Sequence, residues 1–102
     1  EQAVALGFRR ILTSGGRVTA AEGQAELAGL RRQAAGRIAI MPGAGVGPHS
    51  APALAALGFV ELHGSCADDA PQSGPAVELG FAPAIARRTS AARIRALRAA
   101  LD

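Results

Sequence analysis

The stretch Arg37-Ile38-Ala39-Ile40-Met41-Pro42-Gly43-Ala44-Gly45-Val46-Gly47-Pro48 constrains the fold more than any other part of these 102 residues. A short apolar run that breaks into a turn of glycine and proline, and then passes into an alanine- and leucine-rich segment, reads as a buried strand feeding a helix through a tight loop. Apolar runs of the same layout precede it, at Phe8 to Ser14, and follow it, at Phe59 to Ser65. The chain therefore reads as three β/α units with strands at about 9–13, 38–41 and 59–63. Any chemistry is expected in the loops that follow the strands.

The intervening segments carry helix signals. Glu1 to Leu6 reads as the end of a helix stopped by Gly7, and a first residue that is not Met suggests a piece of a longer protein. Thr19-Ala20-Ala21-Glu22 has the capping-box spacing, predicting a helix over about 20–35 with Ala21, Ala25, Leu27, Ala28 and Leu30 as its apolar stripe and Gly36 as its stop. Pro48 suits the first turn of a second helix that runs to Leu57, although Pro52 inside it allows a start nearer Ser50. In the third strand Val60 and Leu62 alternate with Glu61 and His63. Residues 65–88, broken by Pro71, Gly74, Pro75, Gly80 and Pro83, read as a long loop with a short extended piece at Val77 to Phe81. A closing helix over about 90–101 is expected to bury Ile94, Leu97 and Leu101 and turn its arginines to water.

Strands that alternate with helices through short loops pair in parallel with right-handed crossovers, which places the chain in the α/β class. Three such units fit a doubly wound sheet or part of a TIM (β/α)8 barrel. Alternation on the third strand favours the barrel, because one face of each barrel strand looks inward and the other onto the helices. Glu61 and His63 are then inward residues near the C-terminal strand end, where barrel active sites are built.

Composition narrows the function classes. All 11 basic residues are Arg and the net charge is +3, with five arginines between Arg87 and Arg98. Without aromatic residues to stack bases, that run reads as a solvated helix face, so no nucleic-acid partner is expected. No apolar run reaches the roughly 20 residues needed to span a bilayer, so no membrane partner is expected. One cysteine, Cys66, makes no internal disulfide, consistent with a reducing cytoplasm.

Two constellations can carry chemistry. Glu61 and His63, two apart on one strand face, suit an acid/base pair or two metal ligands. Cys66, Met41 and His49 are the nearest further donors, and the soft donors beside His63 suit Cu(I), giving His63 and Cys66 as candidate metal residues. A Glu61 held in an ion pair is expected to take its arginine from outside this sequence. The second constellation is an anion cradle of Gly43, Ala44 and Gly45, aided by the N-terminus of the following helix and by Ser14 and Gly15 beside Thr13 and Gly16 in the neighbouring loop. Barrel phosphate sites commonly follow the last two strands.

Read together, Leu12-Thr13-Ser14-Gly15, Met41-Pro42-Gly43-Ala44-Gly45-Val46 and Glu61-Leu62-His63-Gly64-Ser65 resemble the C-terminal part of the CutC family, named for copper homeostasis. The resemblance covers nearly the whole chain. It implies that the three strands are the sixth, seventh and eighth of a barrel roughly twice this length, with the first five strands and their cysteines outside this sequence. It implies a cytoplasmic copper-homeostasis protein with copper ion as the candidate ligand. A barrel enzyme acting on a small anionic or phosphorylated substrate is the alternative, and a segment with no independent function is a third possibility. Three parallel strands leave open edges. The expected partners are therefore a small-molecule or metal ligand, together with further copies of the chain or the N-terminal half of the barrel. The isolated segment is expected to self-associate or to be partly unfolded.

Overall fold

The computed structural model describes residues 1–102. Its elements run in the order α1 (Gln2–Ala5), β1 (Arg10–Thr13), α2 (Gln24–Ala34), β2 (Ala39–Pro42), α3 (Ala51–Ala56), β3 (Ala67–Pro71), α4 (Pro75–Glu78), β4 (Ile85–Thr89) and α5 (Ala91–Leu101). The fold is mixed α/β. β1 and β2 pair in parallel, Arg10 opposite Ala39 and Thr13 opposite Pro42, whereas β3 and β4 form a separate antiparallel pair.

The third expected strand does not form a ladder. Its one backbone bond to β2 is the His63 N–H donating to the Pro42 carbonyl, 2.9 Å. In a parallel ladder the residue that accepts this bond returns its own N–H to the carbonyl two residues earlier on the neighbour, here Glu61. Proline has no N–H to return. Below that point the two segments separate, and a cleft of about 560 Å³ opens between Ile38–Ile40 and Gly58–Glu61. The expected alternation fails with the ladder: Phe59 takes a core position, while Val60 is 95% exposed.

The region expected as a long loop is ordered. β3 and β4 lie with Asp69 opposite Arg87, and the arginine Nη1 bonds the Asp69 Oδ1 at 2.8 Å. Opposite charges on facing strand positions stabilise such a pair without any apolar alternation. Val77 to Phe81 is not extended; Pro75–Glu78 is a single helical turn followed by a turn through Gly80.

Two helices begin later than the spacing predicts. Only half of the capping box is made, the Glu22 N–H donating to Thr19 Oγ1 at 3.3 Å. The turn over residues 20–23 then gives way to α2 at Gly23. That glycine is fixed by packing: a Cβ there would lie 2.0 Å from the Ser14 carbonyl oxygen, so only glycine lets the loop after β1 close onto the helix start. In α3 the start falls at Ser50, as Pro52 allows, and Ser50 Oγ accepts from the Gly47 N–H.

The core is small. Ala20, Leu27, Val46, Ala51, Leu54 and Phe59 form it, with Ile40, Leu62 and Leu97 packed against its edge. The buried face of the second segment is Ala20, Leu27 and Ala34, seven apart, rather than the stripe through Ala25 and Leu30, both of which are exposed. On α5 only Leu97 reaches the core; Ile94 and Leu101 stay exposed. The chain leaves 6825 Å² accessible, where a folded monomer of 10.2 kDa exposes roughly 5,300 Å². Its radius of gyration, 16.9 Å, likewise exceeds the about 13 Å of a compact domain this long.

Candidate functional site

The three strand ends meet at one rim. The Gly43 N–H donates to the Thr13 carbonyl at 3.0 Å, the Ala20 N–H to the Ala44 carbonyl at 3.0 Å, and the His63 N–H to Pro42. Gly43 sits between Leu12 and His63, since a Cβ there would lie 2.4 Å from Leu12 Cδ1 and 3.5 Å from His63 Cβ. Gly64 presses on the same rim, where a Cβ would approach the Val46 carbonyl oxygen to 2.9 Å. The loops after β1 and β2 lie side by side because the two strands run parallel, and the third segment joins them only through the His63 bond.

Glu61 is fixed by a residue the sequence reading did not single out. Arg10, on β1, grips it in a two-pronged pair, Nε to Oε2 at 2.5 Å and Nη2 to Oε1 at 2.7 Å. The arginine expected from outside this sequence is therefore within it. Arg10 shares strand parity with Leu12, which itself faces the rim at Gly43, and that parity was the available signal. The guanidinium hydrogen bonds hold the Glu61 carboxyl below its usual range against the opposing effect of burial, with the charge of Arg10 a lesser help. Ionised, with both oxygens engaged, Glu61 is an acceptor and not a proton donor.

His63 is exposed, and its side chain makes no hydrogen bond to Glu61. Cys66 lies three residues on, half-buried at φ +50°, its carbonyl accepting from the Ser90 N–H at 2.8 Å. No three His, Cys, Asp or Glu side chains converge anywhere in the chain. A copper ion needs a converging donor set. His63, Cys66 and His49 form no such set within this chain.

The anion-cradle residues divide. Ser14 Oγ donates to the Arg17 carbonyl at 2.5 Å, the Gly15 N–H to Thr13 Oγ1 at 3.0 Å, and the Gly43 N–H to Thr13, so these donors are engaged within the protein. The N–H groups of Ala44 and Gly45 donate to no protein acceptor. Both residues have positive φ, +80° and +66°. Helix α3 starts six residues beyond Gly45 and has only six residues, so its N-terminus adds little at the loop.

Residues 1–68, which hold all three strand ends, match the CutC family. The chain belongs to the CutC family. CutC family proteins of Sinorhizobium medicae and Rhizobium meliloti are each 50% identical to it over 104 residues, covering all of this chain and 42% of the relative. A CutC family protein of Chromobacterium violaceum is 42% identical over 110 residues, again across the whole chain and 44% of the relative. The chain thus spans about two fifths of the length of these curated relatives. Similarity over the whole chain extends past residue 68, so the CutC likeness takes in the β3–β4 hairpin and α5 as well as the rim.

Proposed function

We propose that this chain is the C-terminal part of a CutC-type (β/α)8 barrel acting in copper homeostasis in the cytoplasm, with β1, β2 and the segment 59–63 as three neighbouring barrel positions. The family match over the three strand ends carries this reading. The parallel register of β1 and β2 supports it, as does the His63 bond that sets the third segment beside them. No helix of the chain is long and apolar enough to cross a membrane.

Within that role, the rim suits a small anionic group better than a copper ion. Ala44 and Gly45 offer two free N–H donors, and the Arg10–Glu61 pair sits on the strands below as a fixed, ionised support. The test is Cu(I) stoichiometry of the polypeptide that contains this chain, with and without His63→Ala and Cys66→Ser. Unchanged copper content in both variants is the expected result. Loss of copper in either one assigns the metal to this segment and overturns the reading.

A further inference from the structure

Both histidines of the chain stand at the middle loop of the rim. His63 meets its first glycine, where a Cβ on Gly43 would lie 3.5 Å from His63 Cβ. His49 meets its last, since a Cβ on Gly47 would lie 3.2 Å from the ring's Nδ1 and Cε1. Both residues are exposed, and neither imidazole is hydrogen-bonded within the chain.

Between those two contacts run three consecutive N–H groups with no acceptor in the protein, those of Ala44, Gly45 and Val46. The groups on either side are taken, Gly43 by the Thr13 carbonyl and Gly47 by Ser50 Oγ. Val46 is a core residue at 7% exposure, and the backbone donor of a buried residue is normally paired, by protein, ordered water or a ligand. A missing neighbour is not the cause. This loop is the middle one of three, with the Ala20 N–H bonded to the Ala44 carbonyl on one side and Gly64 pressed on Val46 on the other. Nor are these the open N–H groups of a helix end, since α3 begins only at Ala51.

The donor set selects the ligand. Residues 43–49 hold no carboxylate, and Glu61 on the adjoining segment is already held by Arg10. Successive N–H groups in a turn form a concavity for an anion, and a neutral imidazole adds one N–H donor of its own. A carboxylate offers two coplanar oxygens, whereas a phosphoryl group presents three, which match three N–H groups and leave acceptor capacity for the imidazoles. We propose that the loop Gly43–His49 binds the phosphoryl group of a phosphate monoester, held by the N–H groups of Ala44, Gly45 and Val46 and by the side chains of His63 and His49. This rests on the anionic reading of the rim and adds to it the chemical class of the substrate and the two side chains that grip it.

Isothermal titration calorimetry of the polypeptide that contains this chain tests it, with inorganic phosphate and, in parallel, acetate. The proteins are wild type, His63→Gln, His49→Gln and the double variant. Both histidines are exposed, so replacing them leaves the fold intact, which matching thermal melts check. Phosphate is expected to bind at least about 10-fold more tightly than acetate, and the double variant to lose at least about 10-fold in phosphate affinity, as the loss of two hydrogen bonds to a charged acceptor implies. Acetate binding within about twofold of phosphate, or phosphate binding that the double variant leaves within about twofold, overturns the proposal and leaves an anion site at the rim. No binding of either anion up to about 10 mM overturns the anionic reading of the rim and the proposal with it.

Discussion

Arg10 and Glu61, 51 residues apart in the chain, meet in a two-pronged ion pair that bridges from β1 past β2 to the segment 59–63. It joins that segment to the sheet at the level where the backbone ladder is absent. Side-chain bonding thus substitutes, in part, for the absent backbone ladder, including the one bond that Pro42 cannot give.

Replacing Arg10 with Met is expected to raise the Glu61 carboxyl pKa toward its ordinary value of 4.5. Its side-chain carbon resonance, followed through a pH titration, reads this directly. Because the folded-state value is depressed, the pair stabilises the fold above the unfolded pKa and its contribution fades as pH falls through the folded one. Glu1 and Glu26 are depressed by Arg37 and Arg17 in the same sense, Glu1 to about 2, so wild-type stability should fall progressively from about pH 4.5 downward. High salt should weaken all three half-exposed pairs.

Two glycines should respond to alanine with opposite signs. Gly23→Ala drives a Cβ to within 2.0 Å of the Ser14 carbonyl oxygen and should destabilise the chain by about 1–3 kcal/mol. Gly29→Ala, inside α2 and meeting only the Arg32 Nη2 at 3.8 Å, should stabilise it by about 0.5–1 kcal/mol. Urea midpoints of the two variants check the pair.

Leu54 is fully buried in the core of six residues, and Leu54→Ala should cost about 2–5 kcal/mol. Val60, though an apolar neighbour in sequence of the buried Phe59, is 95% exposed, and Val60→Ala should change stability by less than about 0.5 kcal/mol. Comparable losses from both would mean that residue 60 is covered and the third segment is a regular strand after all.

The parts legible in the sequence were those set by local chemistry. Apolar runs that break at Ser14-Gly15-Gly16 and at Pro42-Gly43-Ala44-Gly45 locate β1, β2 and their loops, and Ser90 locates α5 by its cap on the Arg93 N–H. What was not legible depended on residues far apart. The third segment keeps one backbone bond to its neighbour, to the carbonyl of a proline about twenty residues earlier that has no N–H to return. The hairpin is held by Asp69 and Arg87, 18 residues apart, with no alternation to announce it. Arg10 as the partner of Glu61 follows from strand parity across two crossovers, which spacing alone does not single out. Among the cradle residues, which N–H groups stay free was decided by Thr13, whose hydroxyl and carbonyl engage Gly15 and Gly43.

The rim itself can be tested residue by residue. In an amide nitrogen–proton NMR titration of the chain with inorganic phosphate, the resonances of Ala44 and Gly45 should move together and saturably, while those of Gly15 and Gly43, whose N–H groups are already bonded, move little. Unmoved Ala44 and Gly45 resonances, with His63 and Cys66 responding instead to Cu(I), would contradict the account.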